Sequence, residues 1–349
     1  MRIGILGFKF TGKTTLFNAV TGSDQPVGQG GVEPHLAMGR IPDPRLDRLT
    51  EMFVPRRTIH AAVEWVDVPG FEPTAPGGAG EATRFLEHAR RVEALAQVVR
   101  CFDNGLEPPA PQDEIESLAL ELTIADLQIV ENRLERLTKD KQRKGKVDNA
   151  LEPPLMERFK ARLEDGKPLR DLELSPDEIK LSSGYSLLTL KPMILVLNGS
   201  EDGVDPAVIA AARETGAEVV DLCAQVEAEL AELTEAERAE FLADLGIEEP
   251  ASHRMARSAY DALGLLSFFT VGEDECRAWT VCRGALAPEA AGTIHSDMER
   301  GFIRAETCSY DDLVAAGGLA EVKKANRMRL EGKAYEVKDG DVLNIRFSV

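Results

Sequence analysis

Two hydrophobic periods alternate over the first hundred positions of the chain. Short apolar runs at 2–6, 61–68 and 95–102 have the length of strands, whereas 14–20 and 81–93 carry the three-and-four spacing of amphipathic helices. This alternation predicts a parallel sheet with crossover helices. Between the first two strands, Asp43-Pro44 opens a short amphipathic stretch with Leu46, Leu49 and Phe53, the proline standing at the first helical position.

From Asp113 the pattern becomes one long helix, in which Leu127, Val130, Leu134 and Leu137 form a coiled-coil-like seam. Gly145, Asn149 and Pro153-Pro154 interrupt it, and Leu155, Phe159 and Leu163 then share a face, so an antiparallel helical hairpin is expected. Ser175-Pro176-Asp177-Glu178 has the capping serine, first-turn proline and glutamate of a helix start. The near-continuous apolar run Met193-Ile194-Leu195-Val196-Leu197 reads as a strand buried on both faces, and 217–222 repeats it. The hairpin is therefore an insertion in a sheet domain. Helices fill 226–264, one introduced by the capping box Thr234 to Glu237. Beyond them 277–281, 301–307, 334–337 and 341–347 read as short strands, with Asp339-Gly340 a turn. The expected organisation is a nucleotide-binding domain over 1–111 and 191–265, a helical hairpin over 112–190, and a small mixed α/β domain over 266–349.

A length of 349 residues fits two or three units with separate cores. With 43% hydrophobic and 29% charged residues and no apolar run near the length of a spanning helix, the composition is that of a soluble protein needing no membrane segment. Met1 leads straight into Ile3-Gly4-Ile5-Leu6 without a signal-peptide pattern, and a cytoplasmic location is the expectation. Cys101, Cys223, Cys276, Cys282 and Cys308 are scattered and odd in number, which suits reduced structural thiols. The five histidines show no metal-ligand spacing.

A formal charge of −19 opposes nonspecific attraction to a phosphate backbone, so any nucleic-acid contact has to be local. Arg133, Arg136, Lys139, Lys141, Arg143, Lys144 and Lys146 form one local basic cluster, readable as a solvated helix face or as such a contact.

The chemistry is carried by three motifs. Gly7-Phe8-Lys9-Phe10-Thr11-Gly12-Lys13-Thr14 matches G-x-x-x-x-G-K-[ST] between a predicted strand and a predicted helix. The loop from Gly7 through Lys9, Phe10, Thr11 and Gly12 to Thr15 is the candidate phosphate cradle; Lys13 reaches the β/γ-oxygens and the Thr14 hydroxyl ligates Mg2+. Asp67-Val68-Pro69-Gly70 ends the next strand, with Asp67 placed for the magnesium shell and the Gly70 N–H for the γ-phosphate. The glycine-rich 75–80 reads as a switch segment. Asn198-Gly199-Ser200-Glu201 follows the buried strand where GTPases carry N-K-x-D. Glu201 is longer than aspartate by a methylene and the lysine is absent, which disfavours guanine without excluding GTP. Cys223 and Ala224, directly after the next strand, complete the candidate base-binding set.

In this order the motifs, the helical insertion and the C-terminal part resemble the YchF-type Obg-like ATPases over nearly the whole chain. The resemblance also rests on Ile41-Pro42-Asp43-Pro44-Arg45-Leu46-Asp47, Val98-Val99-Arg100-Cys101-Phe102, Arg277-Ala278-Trp279-Thr280, Gly301-Phe302-Ile303 and Asp339-Gly340-Asp341. It implies a Ras-like P-loop G domain, a coiled-coil insertion and a TGS-like β-grasp domain at the C-terminus. It further implies ATP preference through Asn198 and Glu201, Mg2+ as cofactor, and ribosome association through the arm and the TGS-like domain. The chain departs from the family's pattern in three places: Phe10 stands for an asparagine linked to potassium use, Gly31 for the first-switch threonine, and 103–112 lacks a histidine linked to hydrolysis. Phe71 after Gly70 cannot orient water. These departures imply slow hydrolysis with the catalytic residue unassigned, or a nucleotide-gated adaptor with negligible turnover.

Overall fold

The computed structural model describes residues 1–28, 31, 33–72, 78–105, 107–144, 149–245 and 249–348. Gly30, Val32, residues 75–77, Gly145 and Lys146 therefore lie outside the described residues, as does the side chain of Lys144. Two compact units emerge: Met1–Ala37 with Glu64–Met255, and Met38–Val63 with Ala256–Val349.

In the first unit the apolar runs form a sheet in the order His35–Arg40, Ala62–Asp67, Arg2–Leu6, Ala94–Arg100, Met193–Asn198, Glu218–Leu222. The pairings from Ala62–Asp67 through Glu218–Leu222 are parallel. Their registers match Ile5 to Asp67, Leu6 to Gln97, Arg100 to Asn198 and Asn198 to Leu222, so the carboxyl ends of these strands share one edge. Ala94–Arg100 and Met193–Asn198 are buried at every position, as central strands covered on both faces must be. One core joins Leu6, Val66, Phe71, Phe85, Leu95 and Leu197.

The hairpin is present as helices Pro111–Lys144 and Glu152–Glu164. Val130, Leu137, Leu155, Phe159 and Leu163 make a separate core between them. Asp126, fully buried, accepts from the N–H groups of Leu188 and Thr189 at 3.0 and 2.7 Å, which ties the long helix to the chain returning towards the sheet. The capping box at Ser175 and Glu178 forms with both reciprocal bonds.

In the second unit the sheet order is Arg329–Glu331, Phe302–Ser309, Asp341–Phe347, Leu265–Thr270, Glu275–Cys282, Arg57–Ile59. The last strand comes from the segment Met38–Val63, assigned by sequence pattern to the nucleotide-binding domain, and pairs in parallel with Glu275–Cys282. Arg45, on the helix Pro44–Phe53 of that segment, reaches Asp339 at 2.6 Å, and Asp339 also accepts from the Ser267 N–H. These contacts join residues far apart in sequence, which no local pattern encodes. The expected strand at 334–337 is an isolated bridge from Glu336 to Leu286. No described helix is long and apolar enough to cross a membrane.

Candidate functional site

Above the carboxyl ends of the parallel strands lies a cleft of about 620 Å³, lined by the phosphate loop, Asp67, Gly70 and part of the helix Gly78–Arg90. Gly7 and Gly12 make the loop's turn at φ 146° and 90°, and a Cβ on Gly7 would lie 2.5 Å from the Val98 carbonyl oxygen. Gly12 caps the helix Lys13–Thr21 without a side-chain bond, which leaves first-turn N–H groups for an anion. Lys13 is buried and its Nζ donates to the Phe8 carbonyl. Burial pushes its pKa down to about 8 against the opposing pull of Asp67 and Glu114. A Cβ on Gly70 would stand 2.9 Å from the backbone carbonyl of Phe8, so a glycine is what lets this backbone close over the phosphate loop.

Asp67 ends its strand with the carboxylate 5% exposed. Oδ2 accepts from the Thr14 hydroxyl at 2.7 Å and lies 3.5 Å from His35 Nδ1, while Oδ1 is buried without a partner. Desolvation raises the Asp67 pKa, countered by Thr14, Lys13 and His35. A hydroxyl, a carboxylate and one unsatisfied carboxylate oxygen form the hard-oxygen set that Mg2+ takes, so the residues present fit that ion.

Asn198 closes its strand 3% exposed, and both ends of its side-chain amide are engaged. Nδ2 donates to the Thr11 carbonyl at 2.9 Å and Oδ1 accepts from the Ala224 N–H at 2.9 Å. Glu201 is exposed in the tight turn bridged by Ser200 and Gly203, Cys223 precedes the helix Ala224–Glu232 half-buried, and Ala224 is buried.

The C-terminal residues 265–348 match the family profile YchF-GTPase_C, described as "Protein of unknown function (DUF933)". The whole chain is 42% identical to the Ribosome-binding ATPase YchF of Bacillus subtilis (strain 168), with 99% of each chain covered. It is 33% identical to Obg-like ATPase 1 of Oryza sativa subsp. japonica, covering 100% of this chain and 92% of the relative. The chain belongs to the YchF family. The solved structure of the Schizosaccharomyces pombe YchF GTPase superposes with a TM-score of 0.87 at 30% identity, over 99% of this chain and 97% of that one. The architecture is thus the YchF one: a P-loop G domain, a helical insertion and a C-terminal domain.

Within this YchF-family cleft the structure gathers Lys9, Phe10, Gly12, Lys13, Thr14 and Thr15 with Asp67 and Gly70, whereas Asn198, Glu201, Cys223 and Ala224 are not among its lining residues. Lys9 is held by Glu81, 2.8 Å away, at the start of the helix Gly78–Arg90. Phe10 projects from the loop 64% exposed, with a left-handed φ of 62°. Thr11 turns its hydroxyl back to the Phe8 carbonyl at 3.2 Å. Sequence spacing did not single out His35, Glu81, Arg84 and His88, all of which line the cleft. Arg84 and His88 sit four apart on one helix, a spacing that places them on one face.

Proposed function

We propose that this chain is a cytoplasmic, ribosome-associated P-loop ATPase that binds ATP with Mg2+, takes GTP less well, and hydrolyses slowly. The observation that carries the reading is the Thr14–Asp67 pair at the mouth of the phosphate loop, with its buried, unsatisfied carboxylate oxygen beside the buried Lys13. The loop N–H groups from Lys9 to Thr15 cradle the phosphates, Lys13 spans the β/γ-oxygens, and the Gly70 N–H meets the γ-phosphate. Thr14 and Asp67 hold Mg2+, which when bound offsets phosphate charge and orients the γ-phosphate.

ATP preference follows from the donor inventory. The Asn198 amide is committed to the loop and to Ala224, and the position at which GTPases carry the guanine-reading aspartate is Glu201. Glu201, Cys223 and Ala224 frame the base in this reading. In this reading the first unit is the P-loop domain carrying the arm over 112–190, and the second, Met38–Val63 with Ala256–Val349, is the TGS-like domain, which takes in 38–63 and 256–265 beyond the expected 266–349. The relatives named Ribosome-binding ATPase motivate the partner. Arg136 and Lys141 lie exposed on the arm, and Lys139 and Arg143 pair at the surface with Glu135 and Asp140, weak pairs that RNA phosphates can displace. Arg133 is instead held bidentately by Glu152 at 2.6 and 2.9 Å. The adaptor reading keeps one specific support, the burial of Phe71 away from any water-positioning role.

Calorimetry with ATP, GTP and their diphosphates, with and without Mg2+, tests the nucleotide assignment, and ribosome co-sedimentation at rising salt tests the partner. GTP binding tenfold tighter than ATP, about 1.4 kcal/mol, would refute the base preference. Co-sedimentation that survives charge reversal of Lys141 and Arg143 would exclude the arm.

A further inference from the structure

The first switch of this chain has no side-chain donor at Gly31, yet an imidazole reaches the same corner of the cleft. His35, at the start of the strand His35–Arg40, lies with its ring centroid 6.3 Å from that of Phe17 on the helix Lys13–Thr21. Its Nδ1 is buried, without a hydrogen-bond partner, and 3.5 Å from Asp67 Oδ2. That oxygen already accepts from Thr14 at 2.7 Å, and the other Asp67 oxygen, also buried, has no partner. A hydroxyl and an imidazole nitrogen thus both lie against one carboxylate, each nearest to Asp67 Oδ2.

The separation of 3.5 Å is beyond the usual 2.7–3.2 Å range of a hydrogen bond from nitrogen to oxygen. It is close to the separation of adjacent donors around one octahedral ion, roughly 3 Å when each lies about 2.1 Å from the metal. Among the described residues no group of three or more His, Cys, Asp or Glu side chains is assembled to hold a metal; here one aspartate and one histidine meet, and the Thr14 hydroxyl and the nucleotide's phosphates have to complete the shell. His35 Nδ1 and Asp67 Oδ1 are buried polar atoms without partners, and one shared cation would satisfy both.

We infer that His35 is a third protein donor to the divalent cation accompanying the nucleotide, which makes the site a mixed oxygen and nitrogen one that selects Mn2+ over Mg2+. The inference rests on the proposed assignment of Thr14 and Asp67 to that cation. Mg2+ is satisfied by an all-oxygen shell and gains little from imidazole, whereas Mn2+ and the later divalent ions accept nitrogen readily. The nitrogen replaces the hydroxyl that Gly31 does not supply, and it comes from a residue whose ring is backed by Phe17 rather than carried on a free loop.

The test is pulsed electron paramagnetic resonance of the full chain with Mn2+ and a non-hydrolysable ATP analogue, repeated with 15N-histidine labelling. Metal preference is measured in parallel by Mn2+/Mg2+ competition, and nucleotide binding by a fluorescent ATP analogue in the same samples. The expected result is a nitrogen coupling that changes on histidine labelling and disappears in both His35→Gln and His35→Phe. In both variants the preference for Mn2+ over Mg2+ falls about tenfold. His35→Phe keeps a ring against Phe17 and so controls for loss of packing. Metal-dependent nucleotide binding without a histidine coupling, or with the same metal preference in all three proteins, overturns the role of His35 and leaves the nucleotide site standing. Absence of any metal-dependent nucleotide binding overturns the site assignment itself.

Discussion

Asn198 braces Thr11: the side-chain amide of one donates to the backbone carbonyl of the other at 2.9 Å, while its oxygen holds the Ala224 N–H. A Cβ on Gly12 would lie 2.2 Å from the Asn198 Nδ2, so loop and brace are packed without slack. Asn198→Ala leaves a buried carbonyl and a buried N–H unpaired, at about 1–3 kcal/mol each. Melting temperature is expected to fall, and affinity for ATP and GTP to fall together by about tenfold or more. A change in the ratio of the two affinities, measured by calorimetry, would instead assign Asn198 to reading the base.

Lys191 anchors the helix Gly78–Arg90, one wall of the cleft. Its ammonium, 9% exposed, donates to the carbonyls of Ala89 and Arg90 at 2.9 Å each and to that of Val92. A cation there satisfies carbonyls at the helix end and complements the negative end of the dipole. Lys191→Met retains the apolar stem but removes all three bonds, and a loss of roughly 2–3 kcal/mol in chemical denaturation is expected. Stability within experimental error of the parent would contradict the anchor.

Lys13 sets a pH dependence. Burial lowers its pKa to about 8 in the free protein, from an ordinary value of 10.5, so between these values the unfolded chain holds a proton that the folded one has released. Stability from this group therefore rises as pH increases from about 8 to 10.5. Triphosphate binding works the other way, since only the ammonium pairs with phosphate. Affinity is expected to fall as pH rises through about 8, with proton uptake on binding visible in calorimetry in buffers of different ionisation enthalpy. Affinity that stays flat from pH 7 to pH 9 would show Lys13 already fully charged in the free protein.

What could be read from the sequence was local. The buried run Met193–Asn198, the capping boxes at Ser175 and Thr234, and the glycines of the phosphate loop all announce themselves within a few residues. The strand Leu265–Thr270 did not, because it is apolar without alternation and follows directly on helical sequence. Arg57–Ile59 is three residues long and is made a strand by Glu275–Cys282, far along the chain. His35 stands alone in the sequence, with no ligand at helical spacing, and only the pairing of strands brings it to Asp67. Asn198 was legible by position, but its bonds to Thr11 and Ala224 arise only when the loop and the strand ends meet in the fold.

Intrinsic hydrolysis is expected to be slow, because phosphoryl transfer needs an oriented water and the residue after Gly70 offers no group to orient one. Phe71, one residue past Gly70, is 1% exposed with its ring between those of Phe8 and Phe85, at centroid distances of 5.2 and 4.6 Å. It has no donor and faces the core. Gly31 carries no hydroxyl, and Lys9, a second cation near the phosphates, is held by Glu81. The Phe10 side chain offers no oxygen to a monovalent cation, so potassium is expected to leave the rate unchanged. Turnover of about 10⁻² per second or less is expected for the isolated protein with saturating ATP and Mg2+, the range of switch proteins without their activating partner. Addition of ribosomes should raise it by orders of magnitude if they supply the missing group in trans. Rates near one per second from the protein alone would mean that a competent group already stands in or beside the cleft. Glu72, exposed next to Phe71, and Arg84 and His88 on the cleft wall are then the residues to replace, one at a time, in single-turnover assays.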